Sequence, residues 1–196
     1  MFNKKYPGNP VSLLETLVTR YGDVRLAQAL VTAKQQGRSM DIVEGLQSLQ
    51  LKWWLNSQTS ADDVFLRLNF KKDGILSSPK IATMVNYIDQ FNSKFPDHQT
   101  DLFTTLKSGF GEGKFAIIAH SARAVDDPLA GFEHNLFQGW IKKKYSPEDV
   151  LRKVFKIDKG KLPTDGVEKS IIAAYEPVYY DALTSNLAHR VGPRRS

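Results

Sequence analysis

The sequence predicts an all-α protein made of two tandem copies of one five-helix unit. Three observations lead there. Apolar residues recur at helical spacing, helix-start and helix-stop residues punctuate those runs, and the second half repeats the first in order.

From Asp23 onward, Val24, Ala27, Leu30, Val31 and Lys34 follow the i, i+3, i+4, i+7 spacing of one helix face, and Gly37 ends that segment. The next run starts near Ser39 and sets Met40, Val43, Leu46, Leu49, Trp53 and Trp54 largely on one side. Ser60 with Asp63 forms a capping box, in which the serine oxygen accepts an orphan N–H and the carboxylate reaches back to the cap. Val64, Phe65 and Leu68 are then the buried face of a short helix. Gly74 breaks the chain. Ser78-Pro79 reopens it, with proline in the first helical turn where its missing N–H costs nothing. Ile81, Met84, Val85, Ile88 and Phe91 continue the stripe, and the polar stretch from Ser93 to Gln99, with Pro96 inside it, is expected to be a connection.

The same order then begins again. Leu17, Tyr21, Gly22, Leu26, Ala27 and Ala33 match Leu106, Phe110, Gly111, Phe115, Ala116 and Ala122 at one constant offset. Trp54, Ser60, Asp62, Asp63, Val64, Phe65, Leu68, Gly74 and Leu76 match Trp140, Ser146, Glu148, Asp149, Val150, Leu151, Val154, Gly160 and Leu162, three residues closer. Tyr87 and Phe91 match Tyr175 and Tyr179 after a two-residue adjustment. The length changes fall between predicted helices, and the capping box recurs with Pro147 in its first turn. A duplicated unit explains all of this. The expected boundaries are 10–96 for the first unit, 97–187 for the second and 188–196 for a basic, mobile tail. Within each unit a tryptophan and a tyrosine sit on different helices, Trp54 with Tyr87 and Trp140 with Tyr175. Burying such a ring contributes about 2–3 kcal/mol, while its polar tip still needs a partner.

Composition narrows the function. Of 196 residues, 41% are apolar and 24% charged, which suits a packed, soluble core and is enough chain for two small units. No apolar run approaches the roughly 20 residues a bilayer crossing needs, so no membrane insertion is expected. Met1 to Pro10 is polar, so the sequence is expected to be either cytosolic or the mature part of a precursor. The absence of cysteine excludes disulfides, thiolate metal sites and cysteine nucleophiles. The formal charge is +6, and five of those charges lie between Lys142 and Lys161, where eight basic residues face three acidic ones.

A tryptophan, a capped short helix reading Ser-x-x-Asp-Val-Phe and a tyrosine on the last long helix resemble the WY module of the RXLR effectors that oomycete pathogens deliver into plant cells. The residues concerned are Trp54, Ser60, Asp63, Val64, Phe65 and Tyr87, then Trp140, Ser146, Asp149, Val150, Leu151 and Tyr175. The leucine-rich segments Leu13 to Ala33 and Leu102 to Ala122, which contain Leu17 and Leu106, are similar to the L motif that turns WY modules into five-helix LWY units. The resemblance runs from about residue 11 to about residue 187 and implies two units joined end to end in an elongated rod. It further implies a signal peptide and RXLR leader ahead of the mature chain, secretion, and action inside the plant cell, in cytoplasm, nucleus or both. Family members suppress immunity by binding host proteins. Some suppress RNA silencing, and some LWY arrays recruit a host type 2A protein phosphatase. The module carries no catalytic residues, so the chain is expected to be a monomeric non-enzyme without cofactors.

Other motifs reduce to structure. The run Gly109-Phe110-Gly111-Glu112-Gly113-Lys114 lacks the first glycine and the terminal serine or threonine of a phosphate loop, and reads as a helix–helix turn. His98, His120, His134 and His189 have no metal-ligand spacing. Asp62-Asp63 and Asp126-Asp127 suit helix N-termini. The basic stretch admits two readings: a solvated face, or a surface for an acidic partner or nucleic-acid phosphates. Lys142, Lys143, Lys144, Lys153 and Lys156 are the candidate partner-binding residues. Two alternatives to the effector reading remain, a helical nucleic-acid-binding module using the 142–161 region and a helical adaptor unrelated to pathogens.

Overall fold

A computed structural model of the chain describes residues 11–70, 79–122, 129, 131–158 and 166–190. Among these residues are ten α-helices, one short 3-10 turn and no strand. The chain forms two compact units that meet between Gly109 and Phe110.

The first unit starts with α1 (Val11–Tyr21) and α2 (Asp23–Gln35), separated by Gly22. Its φ of +80° is a conformation open to glycine and strained for any other residue. Next come α3 (Met40–Asn56), α4 (Ala61–Leu68) and α5 (Pro79–Lys94). The Ser93–Gln99 stretch is shorter as a connection than its composition suggests. α5 runs through Lys94, and Pro96–His98 forms a 3-10 turn. Then α6 (Leu102–Phe110) follows. Leu14, Leu26, Leu30 and Val43 make one apolar cluster, with Leu17 and Leu46 packed against it. Trp54, Val64, Leu68, Met84 and Tyr87 are also buried.

The second unit repeats the plan with α7 (Glu112–Ser121), α8 (Phe132–Lys142), α9 (Pro147–Lys153) and α10 (Val167–Arg190). Gly111 ahead of α7 has φ +78°, almost the value at Gly22. Helix α10 packs on α7, α8 and α9, with Ile171, Ile172 and Tyr175 inside.

The structure differs from the sequence reading in several places. The two compact units divide between Gly109 and Phe110, so α6, the first helix of the second repeat by the sequence alignment, lies in the first compact unit almost to its end. Gly109 in α6 sits so close to Phe65 that an added Cβ would land on the ring. The last helix runs past the expected end of the second unit at 187: α10 continues through Arg190. Trp53 is 40% exposed while Trp54 is 2% exposed, since neighbours on a helix point about 100° apart and only one can face inward. Val24, Met40 and Val85 are exposed for the same reason, as the buried stripes run through Leu26–Ala27, Val43 and Met84. Gly74, Leu76, Gly160, Leu162, Asp126, Asp127, Lys159, Lys161 and the stretches 1–10 and 191–196 lie outside the described residues.

Candidate functional site

Each unit buries one tryptophan against one tyrosine. In the first, the Trp54 and Tyr87 rings meet edge to face with centroids 6.2 Å apart and planes at 76°. In the second, Trp140 and Tyr175 meet at 5.2 Å and 88°. This geometry sets the positive edge of one ring against the negative face of the other.

The polar tips find equivalent partners. The Trp54 indole N–H donates to both carboxylate oxygens of Asp23, at 3.0 Å each. Trp140 donates to Glu112 Oε1 at 3.1 Å. Asp23 and Glu112 are the first residues of α2 and α7, each directly after the positive-φ glycine of its repeat. The helix N-terminus favours a carboxylate at that place. A hydrogen bond to an ionised acceptor is worth roughly twice a neutral one. The phenols end alike too: Tyr87 donates to the Thr59 carbonyl at 2.5 Å, and Tyr175 to the Tyr145 carbonyl at 2.7 Å. Burial pushes both hydroxyls up to about 12; Arg67 partly opposes this at Tyr87, and Tyr179 adds to it at Tyr175.

The cation beside each carboxylate differs between units. Arg67 of α4 pairs with Asp23 and lies over the Trp54 ring, 5.8 Å from its centroid. In the second unit Lys143 donates to Glu112 Oε1 at 3.0 Å and Oε2 at 3.2 Å. Gln50 adds a further donor to Asp23 at 2.8 Å, at a position the second unit fills with buried Leu136.

These contacts sort the candidate lysines. Lys143 is tied to Glu112. Lys153 pairs with Asp149 at 2.9 Å, and its ammonium lies 4.4 Å from the centre of the Tyr145 ring, with that of Lys143 at 5.5 Å. The Lys153 and Arg152 hydrogen bonds, with the Ser146 N–H, hold the Asp149 carboxyl far below the usual range. Lys142, Lys144 and Lys156 are exposed and form no ion pair among the described residues. Leu106 is fully buried and Leu17 partly so. His120 is buried and hydrogen-bonded to Glu133 at 2.5 Å, whereas His98 and His134 are exposed; no metal-binding cluster occurs among the described residues.

No family model matches the chain. Individual proteins do. An RxLR effector protein of Phytophthora infestans is 34% identical over 173 residues, covering 82% of this chain and 24% of that protein. The RxLR effector protein PSR2 of the same species is 31% identical over 158 residues, covering 78% and 21%. The chain belongs to the RxLR effectors. The crystal structure of PcRxLR12 shares the fold, with a TM-score of 0.66 over 93% of this chain and 45% of that one at 22% identity. This RxLR effector chain spans between a fifth and a quarter of the length of the two curated relatives named. Within it, sequence reasoning missed Asp23 and Glu112, although both directly follow the glycine that anchors the repeat alignment. It also missed Arg67, Gln50 and the carbonyls of Thr59 and Tyr145.

Proposed function

We propose that this chain is a non-enzymatic binding module of a secreted effector, which acts inside the plant host cell and suppresses immunity by binding host proteins. Kinship with RxLR effectors over about four fifths of the chain carries the reading. Trp54, Tyr87, Trp140 and Tyr175 are spent on the cores, which leaves exposed helix faces as the means of recognition. The same kinship argues against an adaptor unrelated to pathogens. Expressed in leaf cells before inoculation with an oomycete, the chain should enlarge the infected area relative to a Trp54→Ala/Trp140→Ala variant of equal abundance. Equal areas would remove the proposal.

One observation favours a second reading, the binding of nucleic acid through the 142–161 region: Lys142, Lys144 and Lys156 are exposed and form no ion pair among the described residues. Phosphate recognition would show as steep loss of affinity between low and physiological salt. No binding of generic RNA at low salt eliminates it.

A further inference from the structure

A hollow of about 400 Å³ lies in the first unit, where the start of α4 meets the end of α5. Phe91 and Phe95, one turn apart, supply its apolar part; both are half-buried, and their ring centroids lie 4.9 Å apart. Asp62, in the first turn of α4, and Gln58, just ahead of that helix, contribute polar oxygens, and Thr100 adds a hydroxyl. Asp62 is exposed and forms no ion pair among the described residues. Its neighbour Asp63 instead accepts the Ser60 hydroxyl at 2.8 Å and gives its N–H to the same oxygen at 3.1 Å. The cap is therefore made without Asp62.

The same chain shows what such a constellation holds. Arg67 lies over the Trp54 ring while pairing with Asp23, a carboxylate that is likewise in the first turn of its helix. The three groups suit one another because the ring face attracts the cation and the planar guanidinium matches the carboxylate. The hollow presents the first two of them. Lys94 stands 5.6 Å from the Phe95 ring centre, but its ammonium is held by the Leu55 carbonyl at 3.2 Å and Asn56 Oδ1 at 2.9 Å. The second unit does not keep this chemistry. Lys144 matches Gln58 and Leu183 matches Phe95, so a cation and an aliphatic chain replace an amide and a ring.

We infer that this hollow receives an arginine side chain of a host protein, its guanidinium against Phe91 and Phe95 and its N–H groups on Asp62. The source of the arginine rests on the reading of the chain as a host-protein-binding module; the preference for a guanidinium does not. Arginine suits the site better than lysine. Its flat, weakly hydrated head stacks on rings and donates along two edges, whereas an ammonium holds its water.

Titration of the full chain, labelled with nitrogen-15, with acetyl-Gly-Arg-Gly-amide provides the test. His98 also lines the hollow, so the titration is run at about pH 8, above the ordinary histidine range. Amide shifts at residues 58–62 and 91–100 should saturate with a dissociation constant of about 1 mM, the strength of one charge-assisted and one cation–π contact. The citrulline peptide, which keeps the shape and loses the charge, and the lysine peptide should each bind about tenfold more weakly. Asp62→Asn should weaken binding about tenfold, Asp62→Glu should retain most of it, and Gln58→Lys should abolish it. The backbone accepts that lysine, since φ is +54° at Gln58 and +57° at Lys144. Circular dichroism of these variants should match the wild type, because both side chains are exposed. Shifts that never saturate overturn the inference. Equal binding of the citrulline or lysine peptide does so too, as does an Asp62→Asn variant that binds like the wild type. None of these results alters the leaf-infection comparison, so the arginine site can fail while the host-binding reading stands.

Discussion

The two aromatic side chains of each pair bury their rings together and send their polar tips to different elements, the indole to a helix-start carboxylate and the phenol to the loop before the short helix. Trp54→Ala and Trp140→Ala should each cost about 3–5 kcal/mol in denaturant unfolding, as deletion of a large buried ring does. Asp23→Ala should cost about 1–3 kcal/mol, because it strands the buried indole N–H and leaves Arg67 without its anion. The tyrosines add a pH dependence. Their hydroxyls ionise near 10.0 when unfolded and at about 12 when folded, so the folded state prefers the neutral phenol. That contribution is complete below pH 10 and is lost as pH rises toward 12. Alkaline titration followed by phenolate absorbance and circular dichroism should show ionisation and unfolding together; free ionisation of all seven tyrosines near pH 10 in a folded chain would contradict it. The rings were legible in the sequence because tryptophan and tyrosine recur in order. Their carboxylate partners were not, because Asp and Glu differ in type and only three-dimensional proximity marks them.

Among the elements, the short helices show what a cap contributes. In α9 the box is complete: Asp149 N–H donates to Ser146 Oγ at 3.1 Å, and Ser146 N–H donates to Asp149 Oδ2 at 3.2 Å. In α4 the Ser60 hydroxyl, not its N–H, donates to Asp63 at 2.8 Å, so only half of the expected reciprocity forms. Caps are readable in sequence because they are local. The faces of longer helices are less so, since a stripe such as Met40–Trp53–Trp54 fits two rotations of α3 and packing selects one. Assignment of α6 to a unit was beyond reach for a related reason: repeat alignment identifies descent, whereas Gly109 against Phe65 reports contact. Glycine substitutions separate the two. Gly109→Ala should destabilise by about 1–3 kcal/mol through overpacking of the Phe65 ring. Gly139→Ala in α8 meets nothing within 4 Å and should stabilise by about 0.5–1 kcal/mol through helix propensity. Thermal melts of the two variants moving in the same direction would contradict this account of α6.

For the whole molecule, charge is where structure and recognition can be pulled apart. The formal charge of +6 is concentrated in one stretch, yet the lysines there have two employments. Lys143 and Lys153 neutralise Glu112 and Asp149 and flank the Tyr145 ring, so their charge is consumed inside the fold. Lys142, Lys144 and Lys156 project charge outward. Reversing these three to glutamate removes six charges, taking the chain from +6 to zero, and touches no buried contact. Each surface change of this sort alters stability by no more than about 0.5 kcal/mol. Lys143→Glu changes the charge by only two, but sets a carboxylate beside the one that holds the Trp140 indole, and should lower the melting temperature clearly. The triple variant should therefore melt like the wild type while losing salt-sensitive retention on a cation exchanger and any binding that depends on an acidic partner surface. If the triple variant unfolds early instead, those lysines are part of the fold, and recognition must lie on another face.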